Sequence, residues 1–166
     1  MAGVLGLTVT VACAAPIYVG SGDWKGNVLL NFGDDAVYHF VVAFETEPTT
    51  GLGLLDTLES AGIGFSTVRL FDGLYIGTIS YDGHSDADSW SIATPEAYWR
   101  YWVKDGLGTA WTYSNVGAAD RDVYDKYWDG WVYGQSTAPV PEPMTVGLVA
   151  IGAAGLVAVR RRRGSG

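Results

Sequence analysis

The sequence predicts an α+β fold: a small sheet with one packed helix, preceded by an N-terminal signal segment and followed by a C-terminal single transmembrane helix. Three observations carry this. Among 166 residues stand 23 Gly, 7 Trp, 10 Tyr and 5 Phe with few lysines, a composition that suits strands joined by tight turns better than a helical bundle. The interior holds a single stretch with helical periodicity. The remaining apolar runs are short and punctuated by Asp-Gly and Gly-Asp turns. A chain of this length supports one core with short appendages.

Residues 1–14, ending in an A-x-A arrangement at Ala12 and Ala14 after an apolar run from Val4, read as a secretory signal peptide, although no Lys or Arg stands in front of the run. The lone cysteine, Cys13, rules out an intrachain disulfide, and with His39 and His84 it cannot complete a zinc site of the usual ligand count.

The body is expected over residues 15–134. NVLLNFGDDAVYHFVVAFET contains two β-like runs around Gly33-Asp34-Asp35, a hairpin whose second run, Tyr38 to Phe44, is apolar enough to lie centrally in a sheet. In TTGLGLLDTLESAGI, Leu54, Leu55, Leu58 and Ala61 recur at helical spacing, Thr49 or Thr50 can cap the start, and Gly62 marks the end. VRLFDGLYIGTISYDG then predicts two strands around Asp72-Gly73, stopping at Asp82-Gly83, with a polar loop, HSDADSWS, behind them. EAYWRYWVKDG alternates, so Tyr98, Arg100 and Trp102 share one face and Trp99, Tyr101 and Val103 the other. A short strand at AWTY, a loop and a closing strand, Gly130 to Tyr133, complete the body. A hairpin, a helix and then paired strands is the order of a β-grasp.

Residues 135–143, QSTAPVPEP, form a linker in which three prolines forbid a helix or a central strand. No charge appears over 144–159, about 16 residues that span roughly 24 Å as a helix, slightly less than a hydrocarbon core of about 30 Å. Arg160, Arg161, Arg162 and Arg163 follow in the tail 160–166, the pattern of a membrane segment with a cytoplasmic end. Val140, Pro141, Glu142 and Pro143, then the apolar segment, then the arginine cluster resemble the PEP-CTERM sorting signal of Gram-negative bacteria that make exopolysaccharide. That resemblance implies processing by an exosortase, a membrane anchor before processing, and a final place in the cell envelope or extracellular matrix.

A second resemblance covers Gly53 to Tyr133. The pieces LLDTLESAGI, GLYIGTI, YWRYWVKDG, WTYSNVGA and DGWVY are similar to a secreted domain family related to the C-terminal β-grasp domain of transcobalamin. Residues 124–129, YDKYWD, depart from the compact glycine-containing turn expected there. In transcobalamin this domain covers a corrinoid together with a partner domain, so corrinoid binding does not carry over from the resemblance alone.

Charge narrows the partners. The net charge is −8; without Arg160 to Arg163 the remaining 6 Lys and Arg face 18 Asp and Glu, a net of −12. Such a body repels phosphate backbones, which excludes nucleic acid. Catalytic residues are not expected. His84, beside Asp82, Ser85, Asp86 and Asp88, is the one hydrolase candidate, and adjacent residues rarely face one another as a triad needs. Asp82, Asp86 and Asp88 also suggest a loose calcium loop, but Ala93 stands where an EF-hand has its bidentate Glu. Gly62-Ile63-Gly64 lacks the third glycine of a dinucleotide loop.

The remaining signal is the aromatic cluster of the second half, with Tyr98, Trp99, Trp102, Trp111, Trp128 and Trp131 as candidate ligand-binding residues and Tyr101, Tyr113 and Tyr133 among their neighbours. Rings of this kind stack on sugars or other flat ligands, and they also fill the core of a small sheet. The expected function is that of an exported, non-enzymatic binding or structural module needing no cofactor or metal. The alternatives are a saccharide- or corrinoid-binding domain using an aromatic face, and a small secreted hydrolase.

Overall fold

The computed structural model describes residues 15–71, 75–88 and 97–139. The signal segment 1–14, the motif residues Val140 to Pro143, the apolar segment 144–159 and Arg160 to Arg163 lie outside them. Among the described residues no helix is long and apolar enough to cross a membrane.

The expected hairpin forms from β2 (Trp24–Asn31) and β3 (Val37–Phe44), antiparallel over eight paired positions. Its turn closes with Phe32 N–H donating to Ala36 O at 2.9 Å, and the Asp34 carboxylate accepts from Ala36 N–H at 3.2 Å. Period two places Val28, Leu30, Phe40 and Val42 on one face, all at 0 % exposure. Outside β3 lies β1 (Ile17–Gly20), parallel to it. It is an addition to the expected elements, because four residues of IYVG carry no periodic signal of their own.

A two-residue strand β4 (Thr49–Thr50) leads into α1 (Gly51–Ser60), where Thr50 caps the helix by accepting from Gly53 N–H at 2.9 Å. Leu54, Leu55 and Leu58 are fully buried, and Gly62, at φ +67°, supplies the left-handed residue that ends the turn. Ala61 is exposed as the C-cap and does not join the apolar face.

β5 (Ser66–Leu70), β6 (Tyr75–Tyr81) and β7 (His84–Ala87) make an antiparallel three-stranded sheet. The stretch expected as a polar loop after Gly83 is therefore a strand in its first four residues. It pairs with β6 from Tyr81↔His84 to Thr78↔Ala87. β8 (Trp99–Lys104), β9 (Thr112–Tyr113), β10 (Asp122–Val123) and β11 (Trp128–Tyr133) follow. The large sheet runs β1-β3-β2-β11-β8-β9, and β10 pairs with β4. The first strand of the hairpin, β2, is parallel to the last strand, β11, which is antiparallel to β8.

One face of the large sheet packs against α1 and the three-stranded sheet. Leu54, Leu58, Phe65, Ile76, Ile79, Trp99 and Trp131 meet Val28, Leu30, Phe40 and Val42 in one core. The body does not stop at Gly134: Pro139 packs over Gly130, where an added Cβ would lie 2.5 Å from the proline ring.

Candidate functional site

A cavity of about 160 Å³ opens beside the first half of β8. It exists because β9 pairs only with Trp102 and Val103, and the chain then turns away after Ser114 N–H donates to Tyr101 O at 2.9 Å. Residues 114–118 leave the sheet as a loop whose end is pinned to the helix, with Leu52 N–H donating to Ala118 O at 2.9 Å. Between this loop, the start of β6 and the outer edge of β8 stands the cavity, walled by Tyr75, Tyr98, Trp99, Tyr101, Tyr113 and Trp131.

Each ring is held from behind. Trp99 Nε1 donates to Asp86 O at 2.9 Å and its backbone N–H donates to the Asp88 carboxylate at 2.8 Å, while its ring meets Phe32 edge-on at 5.3 Å. Trp131 stacks on Tyr101 with centroids 4.7 Å apart. The Tyr101 hydroxyl donates to Asp129 Oδ2 at 2.6 Å. The Arg100 guanidinium lies 4.3 Å from the centre of the Tyr98 ring. Burial raises the Asp88 carboxyl above its usual range, against hydrogen bonds from Tyr75 and Trp99 that lower it.

Beneath the cavity lies a charged network. Asp129 is fully buried, and burial pushes its carboxyl up to about 7 despite Tyr101 and Arg121. Arg121 pairs with Asp105 and approaches Asp129 at 3.8 Å. The start of α1 presses on this pair at Gly51, where a Cβ would collide with the Tyr101 hydroxyl and the Asp129 carboxylate. Glycine is there because of that close approach.

The six sequence-selected aromatics do not share one face. In β8 and β11, Trp99 and Trp131 point to the helix side, whereas Trp102 and Trp128 point to the other. Trp99, Trp128 and Trp131 are buried, and Tyr98, Trp102 and Trp111 are half-buried. Only Tyr98, Trp99 and Trp131 of the six reach the cavity. Trp111 meets Trp128 edge-on at 6.2 Å across the opposite face, and Trp102 meets Tyr113 edge-on at 5.4 Å. Tyr75 and the 114–118 loop were not selected from sequence as site residues.

The hydrolase constellation does not assemble. His84 Nδ1 is 2.6 Å from Asp34 Oδ2, but Ser85 faces the other way and bonds Ser80 Oγ at 2.7 Å. The three aspartates proposed as calcium ligands serve other partners. Asp82 accepts from the Tyr38 hydroxyl at 3.1 Å, Asp86 from Gly33 N–H at 2.7 Å, and Asp88 from Trp99. Among the described residues no group of three His, Cys, Asp or Glu side chains is arranged to hold a metal ion.

No curated protein matches the chain. A crystal structure from Ruminococcus gnavus ATCC 29149, described as a candidate metal binding protein, is similar at a TM-score of 0.43 and 16 % identity, over 66 % of this chain and 95 % of that one. At the C-terminus, residues 139–163 match the family model of the PEP-CTERM protein-sorting motif, so the chain carries the sorting signal of an exported protein that an exosortase processes.

Proposed function

We propose that this protein is a non-enzymatic binding or structural module of the cell envelope or extracellular matrix, delivered by exosortase sorting. The match at residues 139–163 carries the reading. In it, Val140 to Pro143 are the recognised motif, 144–159 is a transmembrane helix until processing, and Arg160 to Arg163 hold the cytoplasmic end. Exopolysaccharide is the expected surrounding partner. The described body supports a β-grasp module like that of the transcobalamin C-terminal relatives: one helix crosses a sheet in which β3-β2-β11-β8 are neighbours and the central pair is parallel. Deleting Val140 to Pro143, or the exosortase gene, should leave a full-mass, membrane-retained form on an immunoblot of cell fractions. Unchanged processing would refute the sorting reading.

A second reading, a small-ligand-binding domain, is favoured by the aromatic cavity. At about 160 Å³ it holds a single ring and not a corrinoid macrocycle.

A further inference from the structure

We propose that the cavity between β6, β8 and the 114–118 loop binds one uncharged, hydroxylated six-membered ring, the shape presented by a neutral sugar residue. The inference rests on the small-ligand-binding reading and names the ligand class for that site.

Size comes first. Apolar cavities of about 150 Å³ accept a single six-membered ring, and this one measures about 160 Å³. Charge comes second. Among the described residues no charged side chain lines the wall, so an ionic ligand would lose its hydration without gaining a counter-ion there. An anion would also approach a body with 18 acidic against 6 basic residues once the four tail arginines are set aside.

The distribution of hydroxyls decides between a bare ring and a hydroxylated one. Trp99, Tyr101 and Trp131 offer flat ring surface, because the Tyr101 hydroxyl is already given to Asp129 and the Trp99 indole N–H to Asp86. Tyr98 and Tyr113 add two hydroxyl-bearing rings to the wall, while the Ser114 hydroxyl is given to Val116 O at 2.8 Å. A bare ring would offer the Tyr98 and Tyr113 hydroxyls nothing in place of the water it displaced, which costs about 1–3 kcal/mol per group. Alternating C–H faces and hydroxyl edges of a pyranose satisfy both kinds of wall. The mouth is open at Tyr113, 55 % exposed, and Val116, 43 % exposed, so a ring at the end of a longer chain can enter.

The experiment is a tryptophan-fluorescence titration of the purified protein, since Trp99 and Trp131 report on the wall. The probes are glucose, galactose, mannose and xylose, with glucuronate and phenol as contrasts. At least one neutral sugar should give a saturable change, and glucuronate should bind about tenfold more weakly or worse, for want of a counter-ion. Tyr113→Phe should weaken the sugar by about fivefold. Val116→Trp, a change at an exposed position, should block it while the circular dichroism spectrum and Tm are retained. Binding of glucuronate as tight as that of the neutral sugars, or sugar binding that survives Val116→Trp, overturns the inference. Saturation by phenol with no response to any sugar removes the sugar class but leaves the ligand-binding reading standing; no response to either removes both.

Discussion

β11 presents Asp129 and Trp131 to the helix side of the large sheet and Trp128, Gly130 and Val132 to the other, and the two faces treat cations differently. On the helix side Arg69 pairs with Asp56 at 2.6 Å and Glu59 at 2.9 Å, and Arg121 pairs with Asp105 beside buried Asp129. On the opposite face Arg100 lies over Tyr98, and Lys104 lies 5.2 Å from the Trp128 ring and 5.9 Å from the Trp111 ring. No carboxylate among the described residues forms an ion pair with either. Among the described residues, Arg100 Nη1, Trp102 Nε1, Trp128 Nε1 and Asn31 Oδ1 are buried there without hydrogen-bond partners, as are Asp88 Oδ2, Arg121 Nε and Asp129 Oδ1 on the helix side. A carboxylate fixes a cation in one place and is itself stranded if the cation goes. A ring face holds a cation through a weaker field and loses little when it leaves.

The largest test of that contrast is Arg121→Met. Removing the one cation that approaches fully buried Asp129 among the described residues should destabilise the protein by about 3–5 kcal/mol in urea denaturation at pH 8. At pH 5, where Asp129 is protonated, most of the loss should vanish. An equal loss at both pH values would show that packing of Arg121 on Tyr127, 5.1 Å from its guanidinium, matters and charge does not.

Asp129→Asn probes the other partner. The Asp129 carboxyl sits at about 7 in the fold and at about 3.9 in an unfolded chain. Between those values the folded state holds the proton more tightly. This group's contribution to stability is therefore full below about pH 4, falls as pH rises through about 7, and is level above. The asparagine variant should lose that slope and exceed the parent above pH 7 by a few kcal/mol in order of magnitude. Asp34 works in the opposite direction: its hydrogen bond to His84 lowers its carboxyl, so it stabilises the fold above the usual carboxylate range and less as pH falls below it. A slope that persists in Asp129→Asn between pH 4 and 7 would assign it to other groups.

How much of this was legible follows from range. The β2–β3 hairpin, the helix with its Thr50 cap, and the alternation along β8 are written in local periodicity, and all three stand where the sequence puts them. β7 was not legible, because HSDA gains strand geometry only by pairing with β6 and by giving Asp86 and Asp88 to Gly33 and Trp99. The cavity shows the same limit. Tyr98, Trp99 and Trp131 were picked out as aromatic, but what places them around a space is the two-residue length of β9 and the anchoring of the 114–118 loop on α1. The split of the aromatics between faces did follow from alternation within β8; that β11 repeats it needs the register Trp131↔Tyr101.

Arg100→Met is the smallest expected effect and the sharpest check on the ring-held face. The guanidinium contributes a cation–π contact with Tyr98, worth about 0.5–2 kcal/mol depending on burial, together with stem packing that methionine largely keeps. Against this, the residue is 8 % exposed and its Nη1 has no acceptor, a desolvation cost that methionine removes. The two terms nearly cancel, so the loss should be below about 1 kcal/mol and the same at pH 5 and pH 8. A loss of about 3 kcal/mol or more would mean that Arg100 is held by a carboxylate as Arg121 is, and the two faces would no longer differ in kind.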